Sequence, residues 1–268
     1  MKILVTLTAA LLLVHIPSTM GGTPAEATKD SPFVNSLGMK FMPVPGTKVL
    51  FCIHDTRNAD YRQYALAVPN INGRWKKAEY KHMQVSEGED HPVVYVNWDD
   101  AKGFCDWLTT KEGKTYRLPT DHEWSCAVGI GGQEDSAAPA MSKSGMIPNV
   151  YPWGNTWPLP SGSGNFADLT LKERTASHPD AFIPGYRDGN ATTSPVMKFK
   201  PNALGLYDMA GNVWQWCDGY ADQGQNKRIM RGGSWRIEDR ESLLSSCRKS
   251  ESGPVRGISI GFRVVVEK

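Results

Sequence analysis

Apolar and polar positions alternate with three different rhythms along this chain, and each rhythm predicts a different element. Ile3 to Ile16 is an unbroken apolar run behind Met1-Lys2. From Asn35 to Gly46 apolar residues alternate with polar ones and end in the turn pair Pro45-Gly46, which predicts a first strand. Val49 to Ile53 is a second strand candidate. Asn58 can cap a helix that carries Tyr61, Tyr64, Ala65 and Val68 at helical spacing. Ala101, Phe104, Cys105 and Leu108 recur at i, i+3, i+4 and i+7, so a second helix buries that face, and Gly113 ends it. Thr120 and Glu123 form the capping box of a third helix.

Beyond Gly129 the periodicity is lost, and Gly, Pro, Ser and Asn dominate to about Pro201, so little regular structure is expected there. Arg228 to Arg231 reads as a short strand, and Ile258 to Val266 as the closing strand. No tandem repeat interrupts this order.

Length and composition narrow the class. A chain of 268 residues with 40% hydrophobic and 22% charged residues is a packed globular protein. A net charge of +2 supplies no field that would select nucleic acid or an anionic membrane surface. The apolar run, about 14 residues against the roughly 20 that span a bilayer, is too short for an anchor. With Ala25-Glu26-Ala27 behind it, the run reads as a secretory signal peptide over residues 1–27, followed by a linker over 28–34 and one domain over 35–268. Export, secreted or periplasmic, with no membrane contact after signal removal, is the expectation. An oxidising compartment permits disulfides, and five cysteines (Cys52, Cys105, Cys126, Cys217, Cys247) leave at least one thiol unpaired.

The carboxy-terminal third carries the most specific motifs. Gly205-Leu206-Tyr207-Asp208-Met209-Ala210-Gly211-Asn212-Val213-Trp214-Gln215-Trp216, Arg231-Gly232-Gly233-Ser234-Trp235 and Ile260-Gly261-Phe262-Arg263-Val264 together resemble the formylglycine-generating enzyme family, also called sulfatase-modifying factors. Upstream, the order Val-x-Val-x-Trp98, helix, Arg117-Leu118-Pro119-Thr120, helix is shared with that family, as is the turn Tyr151-Pro152-Trp153-Gly154. The resemblance implies a single loop-rich α+β domain related to C-type lectins, with at least two packed helices and a small antiparallel sheet.

Copper-dependent members of the family hold one Cu(I) between two cysteines, two and seven places after the aromatic of the GGSW-type motif. Those places are Ile237 and Ser242 here. Cu(I) is soft and selects sulfur, which a branched alkane and a neutral hydroxyl do not supply, so copper is not an expected cofactor. Calcium is expected by resemblance at two places. Asn165 would donate its side-chain oxygen, and Phe166 and Phe199 their carbonyls, to a first ion, while the family's aspartate falls at Met197 and Asp188 or Asn190 stand nearby. Asp208 and Gln215 side chains with Gly211 and Val213 carbonyls would hold a second. The resemblance also implies a Cys126–Cys247 disulfide, and places Ser234, Trp235, Arg236, Glu238, Arg240 and Ser242 on a ligand groove.

The six histidines (His15, His54, His82, His91, His122, His178) form no HExxH or similar pair, so a histidine-held metal is not expected. Cys52 reads as core, Cys217 stands beside Asp218, which disfavours a thiolate, and no Gly-x-Ser-x-Gly elbow surrounds Ser234 or Ser242. Three functions stay open: copper oxidation of a sulfatase cysteine, a silent exported module that binds a peptide, protein or glycan, and a divergent oxidation in the same groove. The silent module is the leading expectation, because the scaffold motifs are present and the metal thiolates are not.

Overall fold

The computed structural model describes residues 22–176, 180–221 and 224–268. The expected signal peptide lies mostly outside them. In chain order the elements are β1 (Phe33–Val34), β2 (Lys40–Pro43), β3 (Val49–Cys52), α1 (Asn58–Ala67), β4 (Glu79–Tyr80), β5 (Met83–Gln84), α2 (Trp98–Glu112), β6 (Tyr116–Arg117), α3 (Asp121–Ala127), α4 (Leu169–Arg174), β7 (Trp214–Tyr220), β8 (Lys227–Arg231), β9 (Lys249–Ser252), β10 (Ile260–Phe262) and β11 (Val265–Glu267). No helix among the described residues is long and apolar enough to cross a membrane.

The strands form two main sheets, ordered β1-β2-β3-β11-β6 and β10-β7-β8-β9, with β4-β5 as a separate hairpin. The first sheet is antiparallel throughout, whereas β10 runs parallel to β7, with Ile260 beside Trp214. The closing strand expected over 258–266 is therefore two strands, one in each sheet. Arg263 and Val264 make the crossing, and both are buried because the chain passes between layers there. Phe33 and Val34, expected at the end of a linker, pair with Phe41 and Lys40 as an edge strand.

The helices follow their periodicity. The apolar stripe of α2 packs Phe104 against Tyr61 of α1 and Phe262 of β10, at ring separations of 6.0 and 5.5 Å. Gly113 ends α2 in the left-handed region, at φ 66°, a conformation that costs glycine nothing. Thr120 and Glu123 form the reciprocal capping box of α3. At α1 the cap differs from expectation. Asn58 is the first helical residue, and its amide is drawn inward to Ser86 and Gly88, so Asp60 bonds back to the Arg57 N–H instead. The region after Gly129 is irregular apart from α4 and short 3-10 turns, and Asp168 caps α4 by accepting from Leu171 N–H.

Candidate functional site

The two positions that bear on copper sit on the loop after β8. Ile237 is 8% exposed and belongs to the main apolar core, and Ser242 has its N–H capped by the Asp239 carboxylate at 2.8 Å. Neither offers sulfur. The five cysteines are all free. The expected Cys126–Cys247 disulfide is not formed: Cys126 packs against the cluster around Trp124 and Phe51, with His122 Nε2 at 3.7 Å, while Cys247 packs against the core that contains Ile237 and Leu243. Cys52, Cys105 and Cys217 are buried, and burial pushes all three thiols up, Cys52 to about 12. The Cys217 thiol contacts the Gln215 carbonyl at 3.9 Å. A thiol held protonated is neither a nucleophile nor a metal ligand. Among the described residues no group of three or more His, Cys, Asp or Glu side chains is arranged to hold a metal ion.

The expected groove residues separate into two sets. Ser234 and Trp235 are buried, Trp235 at 1% exposure with its indole N–H donating to the Ile258 carbonyl, so they support the loop from beneath. Tryptophan is the largest apolar side chain on this loop, and packing against Val94, Val213 and Ala78 claims it. Arg236 and Arg240 remain on the surface and Glu238 is half-buried. The Arg236 guanidinium lies 4.6 Å over Tyr80. Arg240 donates to the Tyr151 hydroxyl and, at 2.6 Å, to Asn149 Oδ1, and stands 5.4 Å from the Trp157 ring. Each of these guanidiniums is held against an aromatic ring and so pre-oriented for carboxylates and planar groups.

The calcium donors also part company. At the second expected site, Gln215 Oε1 accepts from Trp124 Nε1 at 3.0 Å and from Arg263 Nε at 3.2 Å. Both lone pairs of that oxygen are used, and a guanidinium already stands against it. Asp208 Oδ2 accepts from Met197 N–H. This set does not fit a cation. At the first site the Asn165 side-chain oxygen is fully buried and has no hydrogen-bond partner, while its amide donates to Thr192 O. The carboxylate that meets this turn is Asp188, which accepts from Phe166 N–H at 2.9 Å and from Asn190 N–H at 2.8 Å. Burial, helped by Asp168, pushes the Asp188 carboxyl up to about 7. Met197, where the family's aspartate falls, is 40% exposed and its thioether offers no oxygen, and Phe199 lines a neighbouring cleft. The Asp188-Gly189-Asn190 turn, just before Pro195-Val196, is the sequence feature that could have pointed to it.

Of the described histidines, His54 is buried with Nδ1 at 2.7 Å from Asp55 O and is held down to about 4 by burial. His91 contacts Thr193, and no histidine pair forms. His15 and His178 lie outside the described residues.

Beneath the loop lies a charged cluster that periodicity did not reveal. Asp121 accepts from Arg231 Nη1 at 2.6 Å and from Arg248 Nε and Nη2 at 3.1 and 3.0 Å, with Lys143 Nζ at 3.2 Å. Glu134 takes a two-pronged contact from Arg248, at 2.7 and 2.6 Å. This network pins β8 and the segment before β9 to α3.

Residues 21–268 match the family profile described as Sulfatase-modifying factor enzyme 1-like domain. The inactive C-alpha-formylglycine-generating enzyme 2 of Bos taurus is 33% identical over 165 residues, 60% of this chain and 44% of that protein. The formylglycine-generating enzyme of Streptomyces coelicolor is 27% identical over 218 residues, 72% of this chain and 59% of that one. The chain spans between 43% and 59% of the length of these and similar curated relatives. Two solved structures share the fold. PvdO from Pseudomonas aeruginosa has TM-score 0.55 at 24% identity, over 82% of this chain and 80% of its own. CarF has TM-score 0.58 at 23% identity, over 82% and 86%.

Proposed function

The chain belongs to the sulfatase-modifying factor enzyme 1-like domain family, and from that membership we propose an exported binding module that does not carry out copper-dependent oxidation. The observation that carries this reading is the pair Ile237 and Ser242, a core alkane and a neutral hydroxyl where thiolates would be required. The likeness to a relative whose name includes "inactive" supports it. The ligand fits the Arg236 and Arg240 face: two oriented guanidiniums over Tyr80 and Trp157 suit a peptide or protein segment that bears carboxylates. Purified chain titrated with Cu(I) against a competing chelator is expected to show no thiolate-strength binding and no turnover of a sulfatase peptide. A tight one-to-one complex with turnover would overturn the reading.

Calcium belongs to the same proposal, at Asn165 rather than at Gln215. The buried Asn165 oxygen, the Asp188 carboxylate and the carbonyls of their turns are the hard oxygen donors that Ca²⁺ takes. The ion would tie the turn at Asn165 to the turn at Asp188 and so stiffen the long irregular region. Saturating calcium is expected to raise the melting temperature by about 5–10 °C, from linkage at about a hundredfold excess over Kd. Asp188→Asn is expected to remove that increment. A transition that is the same in calcium and in chelator takes calcium out of the proposal.

A further inference from the structure

A cleft of about 250 Å³ opens beside the Tyr151-Pro152-Trp153 turn, on residues that the binding face described above does not use. Its wall is Trp153, whose ring is fixed from several sides. It stacks on Tyr151 at 4.9 Å and 5°, meets Phe166 edge-on at 5.6 Å, and donates its indole N–H to Thr156 O. The facing wall is equally rigid, because Asn202 accepts from Leu204 and Leu206 N–H and donates to Ala127 O. The loop of Ser161 to Gly164 closes the rim and is anchored by the Tyr186 hydroxyl, which donates to Gly164 O at 2.6 Å. The cleft is therefore preformed and does not depend on a moving lid.

Two polar groups face this apolar frame. Lys200 is exposed and makes no hydrogen bond or ion pair among the described residues, and Ser161 is exposed on the rim; Asp208 also lines the cleft but is buried, its Oδ2 accepting from Met197 N–H. A flat indole beside hydroxyl and ammonium groups matches a ring with one C–H face and an equatorial belt of hydroxyls. The volume is too small for a nucleotide. The geometry points to a subsite for one pyranose unit of a saccharide, with Trp153 against its C–H face and Lys200 and Ser161 toward its hydroxyls. This goes beyond the peptide reading of the Arg236 and Arg240 face and stands independently of it.

The test uses the full chain labelled with ¹⁵N, whose nine tryptophan indole N–H signals report on binding. D-Glucose, D-galactose, D-mannose and N-acetyl-D-glucosamine are titrated in turn. At least one is expected to shift the Trp153 indole, identified by its loss in Trp153→Phe, with a dissociation constant of ~1 mM. Lys200→Ala is expected to weaken that binding roughly three- to tenfold and Ser161→Ala to weaken it less, while Arg236→Ala leaves it unchanged. Lys200 and Ser161 are exposed, so these variants fold and test the site apart from any effect of Trp153→Phe on packing. No Trp153 shift with any of the sugars up to about 50 mM overturns the proposal. So does a shift that Lys200→Ala leaves untouched, or one that maps to other tryptophans only.

Discussion

Replacing Asp121 with alanine is expected to cost about 3–5 kcal/mol, the magnitude found when one partner of a buried ion pair is removed. Asp121 is the anion on which Arg231, Arg248 and Lys143 converge, and both arginine side chains are fully buried. Without it, Glu134 alone would face the three cations, and it reaches only Arg248 closely. Asp121→Asn keeps the shape and an acceptor oxygen but not the charge, so nearly the same loss is expected. Urea denaturation at neutral pH measures it, and a loss below about 1 kcal/mol would show that the cluster is solvated and marginal.

The same carboxylate sets an acid limit. Burial alone would raise its pKa, but Arg231, Arg248 and Lys143 outweigh burial and hold it at about 2. A carboxylate depressed in the folded state adds stability that is fully present above its unfolded value near 3.8 and is lost as pH falls toward 2. Wild type is therefore expected to lose stability more steeply than Asp121→Asn between pH 4 and 2, and parallel curves would assign the acid limit to other groups.

Arg263→Met is expected to be comparably damaging, by about 3–5 kcal/mol. Its guanidinium is fully buried at the crossing from β10 to β11, and donates to Cys52 O at 2.9 Å, Tyr207 O at 2.6 Å and Gln215 Oε1 at 3.2 Å. Asp55 lies 3.5 Å away and is itself fully buried. Methionine fills much of the space but leaves these acceptors without donors. Burial already pushes the Asp55 carboxyl well up, with Arg263 as the opposing influence, so the variant should keep Asp55 protonated at neutral pH. An acid whose folded pKa is raised loses stability as pH rises above its unfolded value, and removing Arg263 raises that folded value further than in wild type, so the deficit of Arg263→Met is expected to be no smaller at pH 8 than at pH 5. Lysine should not rescue it, because one ammonium cannot reproduce a fork that reaches acceptors in several directions. Thermal melts of Arg263→Met and Arg263→Lys at the two pH values decide this, and wild-type stability in Arg263→Lys would show that charge alone matters.

Much of the architecture was legible in residue spacing. The stripe Ala101, Phe104, Cys105 and Leu108, the stop at Gly113 and the box Thr120/Glu123 each act within a turn or two, and local interactions leave local patterns. The family motifs and the missing thiolates were equally readable, since both are statements about residue type at a position. The closing segment reads as one strand because Ile260 to Val266 is apolar on both sides of Arg263 and buried throughout, and a single arginine does not by itself mark where one sheet ends and the next begins.

The sequence by itself determined three of the four helices, the family and the residue types at Ile237 and Ser242, because these depend on neighbours along the chain or on side-chain identity alone. Only the tertiary structure decided that Trp235 supports the loop from within, that the Asp188 carboxylate bonds the Phe166 N–H beside Asn165, and that Gln215 answers to Arg263. It also decided that Asp121, by spacing an ordinary first-turn residue of α3, is the hub for arginines 110 and 127 residues away. Partners at such separations are chosen by packing of the whole chain, and burial, which sets the strength of each charge, exists only once that packing is complete.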